Sequence, residues 1–99
     1  MEKYQYVMFI EKTKNYNKLT KAVLERHIEN LRNLDDECHL DKCGIFKKYP
    51  GVAGMLILNA NSYEEAEMLC KREPLVIEGY ATYTLKAIQI ADRENNYLF

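Results

Sequence analysis

The chain has 99 residues, 47% of them hydrophobic, and a formal net charge of -1, enough for one compact core and too little for two. Acidic and basic residues are intermixed, which excludes the broad basic footprint of a nucleic-acid binder. No segment approaches the roughly 20 apolar residues that span a bilayer, so neither nucleic acid nor a membrane is an expected partner.

Behind the opening Met1-Glu2-Lys3-Tyr4 there is no long apolar run, and a soluble, unprocessed protein is expected. Tyr4 to Ile10 is rich in aromatic and β-branched residues and predicts a strand. Glu11 to Lys18 has the polar composition of a loop. Thr20 then caps a helix that runs to about Glu37. In that helix positions 24, 27, 28, 31, 34 and 38 form the apolar stripe, and Glu25, Arg26, Glu29, Asn30, Arg32 and Asn33 occupy the other side.

His39 to Lys47 predicts a second strand, with a bulge or close approach at Gly44. The turn Lys48-Tyr49-Pro50-Gly51 leads to a third strand, Ala53 to Ala60, antiparallel to the second and apolar enough to be covered on both faces. Ser62-Tyr63-Glu64-Glu65 is a capping box that opens a helix to about Arg72, with Ala66, Leu69 and Cys70 on its core face. Pro74 stops that helix. Leu75 to Glu78 is one further helical turn ended by Gly79, and Tyr80 to Ile90 alternates with the strand period, Ala81, Tyr83, Leu85 and Ala87 sharing a face.

Residues 1–90 are thus expected to form one domain, and 91–99 a polar tail whose Tyr97-Leu98-Phe99 docks somewhere. The order strand, helix, strand, strand, helix, strand predicts an α+β, ferredoxin-like βαββαβ fold: a four-stranded antiparallel sheet with both helices on one face. The opposite sheet face then lacks cover, which predicts a homodimer packed sheet to sheet.

The three cysteines, Cys38, Cys43 and Cys70, include no CxxC pair, which argues against a secreted disulfide framework and for a cytoplasmic location. Cys38-His39-Leu40-Asp41-Lys42-Cys43 offers possible metal ligands at a spacing that matches no zinc knuckle. Free thiols, and no metal, are expected.

His27 stands out because it interrupts the apolar stripe of Leu24, Ile28, Leu31 and Leu34. An imidazole facing the core needs a polar partner, since an unpaired buried polar group costs roughly 1–3 kcal/mol. The best candidate partner is Glu73 of Glu73-Pro74. A carboxylate that orients one ring nitrogen leaves the other free for general acid–base work near neutral pH. The competing reading is a core histidine bonded to a backbone carbonyl, with Glu73 a solvated helix end.

Taken in order, several of these residues resemble the YCII-related (YciI-like) family, over nearly the whole chain. They are the strand Tyr4 to Ile10, His27 with Ile28 and Leu31, Gly44-Ile45-Phe46, Gly54-Met55-Leu56-Ile57-Leu58, Ser62-Tyr63-Glu64-Glu65-Ala66, Glu73-Pro74-Leu75 and Gly79-Tyr80. The resemblance implies a dimeric α+β barrel and an acid–base pair in a pocket beside the sheet, His27 being the histidine and Glu73 the acid. Three positions depart from the pattern: Glu73 stands where aspartate is usual, Ile45 where proline is, and Met55 where several relatives carry serine.

Tyr6, Tyr80 and Tyr83, together with Gly44, Phe46 and Met55, are candidates to line that substrate pocket, the tyrosines by stacking on an aromatic or quinone-like ligand. The expected activity is proton transfer on a small organic, ring-containing substrate, as in a cofactor-independent lyase or isomerase. No metal, heme or nucleotide is required. The alternative is a non-catalytic dimeric module that binds a small ligand or serves assembly. A ring nitrogen of His27 within reach of Glu73, with the other facing an open cavity, separates catalysis from a histidine sealed by backbone.

Overall fold

A computed structural model describes residues 2–99. The main elements are β1 (Tyr4–Lys12), α1 (Lys21–Asp36), β2 (Leu40–Ile45), β3 (Val52–Leu58), α2 (Tyr63–Cys70), α3 (Pro74–Ile77) and β4 (Ala81–Gln89). The strands form one antiparallel sheet in the order β2-β3-β1-β4. This is the ferredoxin-like α+β architecture that the order of elements predicts.

Local chemistry sets the element ends. The Thr20 side chain accepts from the Val23 N–H and starts α1, and Ser62 accepts from Glu65 N while the Glu65 carboxylate accepts from Asn61 N. Glu73 caps α3 through the Leu75 N–H, and Pro74 takes the first helical position, where its missing N–H costs nothing. Gly79, at φ 82°, turns the chain into β4 in a conformation that favours glycine.

Alternation along β1 separates two environments. Tyr6, Met8 and Ile10 point to the helices and pack with Val23 and Leu34 of α1, Ala66 and Leu69 of α2, and Leu75 of α3. By register Phe9 faces the opposite way, beside Met55 and Thr84, and Val7 lies beside Ile57 and Lys86. On that second face Phe9 and Phe46 stack with ring centroids 6.5 Å apart, and Tyr49 tilts onto Phe46 at 5.8 Å. No element of the described chain covers these rings, so β3 is buried on its helix face through Gly54, Leu56 and Leu58 and only half-buried at Met55 and Ile57.

Three details differ from the expectation. The buried stripe of α1 runs through Val23, Asn30 and Leu34, so Asn30 faces inward and Leu24 and Ile28 stay partly exposed at 42% and 40%. At about 100° per residue, a shift of one position in a helical stripe is enough to cause this. Helix α1 ends at Asp36, close to the expected Glu37, so position 38 of the expected stripe lies beyond it, and Cys38 is exposed and adopts φ 65°. In β2 the register irregularity falls between Leu40 and Lys42, while Gly44 is a point of close approach, its carbonyl oxygen lying against Gly54.

The tail is the fourth difference. Its polar half is fastened, with Ile90 N donating to Lys3 O and Asn95 Nδ2 to Ile90 O. Tyr97, Leu98 and Phe99 dock nowhere on the described chain and remain exposed.

Candidate functional site

The site begins with two side chains delivered by different elements. His27 lies in the second turn of α1, and Glu73 in the short link between α2 and α3. The His27 Nδ1 and Glu73 Oε1 are 2.8 Å apart. The other carboxylate oxygen, Oε2, accepts from the Leu75 N–H at 2.9 Å. Glu73 is 1% exposed and His27 15%, so the carboxylate is buried with both oxygens engaged while the imidazole reaches open space.

An ionised carboxylate can only accept hydrogen bonds, so with Glu73 in that form the Nδ1 of His27 is the donor. In the neutral ring Nε2 then holds a lone pair. No hydrogen-bond partner for Nε2 exists among the described residues, and it is not one of their sealed, partnerless polar atoms. His27 lines a cavity of about 490 Å³ between α1 and the β2–β3 side of the sheet. This is the size range of small-molecule sites.

The cavity walls follow from register and helix phase. Leu24, Ile28 and Leu31 of α1 form one side; Cys43 and Ile45 of β2 with Ala53, Gly54 and Leu56 of β3 form the other; Ile10, Tyr16 and Leu75 close the ends. A Cβ at Gly54 would collide with the Gly44 carbonyl oxygen, so the close approach of β2 and β3 demands glycine there. The sheet side of the cavity is bare backbone at that point.

Of the residues expected from sequence, His27 and Gly44 line this cavity together, and Glu73 stands directly behind the imidazole. The others lie elsewhere. Tyr6 is buried in the core, edge-on to Tyr63. Tyr80 and Tyr83 pack against that core without lining the cavity, and burial together with Glu67 raises the Tyr83 phenol above its ordinary range. Phe46 and Met55 sit on the opposite sheet face with Phe9. A serine at position 55 would be separated from His27 by the sheet itself, so its loss leaves this cavity unchanged.

Sequence reasoning did not anticipate Cys43, Ile45 and Gly54 as lining residues. The pairing Cys43↔Leu56 puts Cys43 on the helix face, a parity that can be read only once the irregularity before Lys42 is known. Cys70, the last residue of α2, is buried, and burial, with Glu67 adding to it, pushes its thiol up to about 12. It is inert packing rather than a nucleophile.

No protein-family model and no curated protein matches the sequence. Among solved structures the chain is similar to 5-chloro-2-hydroxyhydroquinone dehydrochlorinase (TftG) from Burkholderia phenoliruptrix AC1100, in complex with 2,5-dihydroxybenzoquinone. The TM-score is 0.72 at 12% identity, over 93% of this chain and 99% of that one. The two share a fold. No described helix is long and apolar enough to cross a membrane.

Proposed function

We propose that this chain is a small acid–base enzyme of the YCII-related kind, in which His27 transfers a proton on a small organic ring compound and Glu73 holds the imidazole in the required tautomer. The observation that carries this reading is the 2.8 Å His27–Glu73 hydrogen bond at the wall of a 490 Å³ cavity. A buried carboxylate behind one ring nitrogen stabilises the imidazolium that forms when the other takes a proton, and fixes which nitrogen does so. The structural neighbour is named as a dehydrochlorinase and was seen with a dihydroxybenzoquinone. By analogy of fold alone, hydroxylated rings and cyclic ketones are the first compounds to test.

The working unit in this proposal is a homodimer formed through the open sheet face. Phe9, Phe46, Tyr49 and Val52 surround an apolar hollow of about 250 Å³ there, and burying such a patch against a second copy removes it from water. Three free thiols without a pair support a cytoplasmic setting.

The test is proton exchange rather than product formation. Cyclic ketones and phenols are incubated with the protein in D2O, and deuterium incorporation at activated ring carbons is followed by NMR. The proposal requires incorporation that wild type accelerates and His27→Gln does not; equal rates with the two proteins count against it. A second reading, a non-catalytic binding module, draws support from the lining itself: only one of its side chains, His27, is engaged by a carboxylate. Binding without exchange would favour that module.

A further inference from the structure

We infer that the His27 cavity selects uncharged, flat ring compounds bearing a hydroxyl or carbonyl group, and discriminates against carboxylates, phosphates and ammonium compounds of the same shape. This deepens the functional reading above and rests on the cavity being a ligand site.

Charge carries the first half of the argument. The lining contains no Lys, Arg, Asp or Glu; its polar side chains are His27, Tyr16 and Cys43. An anion entering there would lose its hydration and meet no Lys or Arg side chain, and a buried charge without a partner is costly. Glu73, held 2.8 Å from the imidazole and nearly sealed from solvent, would also repel an anion. Lys12 has its ammonium 5.1 Å from the centroid of the Tyr16 ring and is not part of the lining. Arg26 pairs with Glu78 at 3.6 Å. A cationic ligand fares no better, because His27 stands between the cavity and the buried carboxylate.

Shape carries the second half. Leu24, Ile28 and Leu31 of α1 face the sheet across the cavity, and the sheet side at Gly54 is backbone that tolerates no Cβ. A slot between branched side chains and bare backbone suits a planar ring. Its hydroxyl donates to Nε2 of His27, whose Nδ1 is committed to Glu73.

The experiment is a binding comparison of 2-naphthol, its 6-carboxylate and its 6-aminomethyl derivative by calorimetry, with the His27 ring signals followed by NMR. Wild type is expected to bind 2-naphthol at least about tenfold more tightly than either charged relative, the scale set by an uncompensated charge in a desolvated site. The partly exposed rim residue Leu24 provides the control: Leu24→Arg is expected to narrow the gap for the carboxylate by about fivefold or more by supplying the missing cation. The inference is overturned if the carboxylate binds wild type as tightly as 2-naphthol, if none of the three binds, or if 2-naphthol binds without moving the His27 signals. Charge selectivity without deuterium exchange would remove the catalytic reading alone, and exchange without charge selectivity would remove this inference alone.

Discussion

His27 and Glu73 are 46 positions apart in the chain and 2.8 Å apart in space, and the same carboxylate also caps the next helix through Leu75 N. Glu73 therefore links α1 to α3 as well as orienting the imidazole. Replacing it separates these roles. Glu73→Ala leaves a buried N–H and the His27 Nδ1–H without acceptors, and is expected to cost about 3 kcal/mol, the scale for breaking a buried pair. Glu73→Gln retains an oxygen for Leu75 and should cost less than half of that. Urea denaturation of the two variants checks it; equal losses would contradict a capping role.

Glycine is required at one position of the β2–β3 pair and optional at its neighbour. A Cβ at Gly54 collides with the Gly44 carbonyl, whereas a Cβ at Gly44 meets nothing within 4 Å. Gly54→Ala is expected to destabilise by about 1–3 kcal/mol, the range for overpacking, and Gly44→Ala by less than about 0.5 kcal/mol, as at an open surface site. Thermal melts of the two variants compare them directly. Similar losses would mean that β2 can shift to make room.

Element ends were legible in the sequence wherever a side chain performs a local job: Thr20 and Ser62 at helix starts, Glu73-Pro74 between α2 and α3, Gly79 at the turn into β4. The approach of His27 to Glu73 was legible because a polar residue in an apolar stripe needs a partner, and the resemblance to the YCII-related family pointed to Glu73 as the acid. The cavity walls were not. A strand flips faces with each residue, and the irregularity between Leu40 and Lys42 decides that Cys43 faces α1 while Phe46 stacks on Phe9. Asn30 was misplaced for the analogous helical reason: its neighbour Leu31 is the more apolar residue, yet the packing of α1 buries Asn30 and leaves its Nδ2 without a partner.

The three thiols should divide two to one. Cys38 and Cys43 are exposed and Cys70 is buried, so a disulfide reagent such as DTNB should modify two thiols in the native protein and the third only after denaturation. The raised Cys70 value has a linkage consequence. A thiol that ionises at a higher pH in the folded chain than in the unfolded one contributes stability that is present below the unfolded value and is lost as pH rises toward about 12. Melting temperature should therefore fall with alkaline pH, and less steeply in Cys70→Ala. An unchanged slope in that variant would assign the fall to other groups.

The open sheet face predicts association. Sedimentation should give about twice the 11.7 kDa of one chain. Phe46→Glu, which places a charge between Phe9 and Tyr49, should yield a folded monomer. A wild-type monomer, or a variant that stays dimeric, would mean that the aromatic cluster is not the interface.

The most direct test of the central claim is the protonation pattern of the His27 ring, read by nitrogen-15 NMR on the neutral imidazole. The account predicts a protonated Nδ1 and an unprotonated Nε2 that responds to 2-naphthol, and inversion of that tautomer in Glu73→Gln if the new amide donates to Nδ1. An unprotonated Nδ1 in the wild-type protein, or an Nε2 indifferent to every bound ring compound, would contradict it.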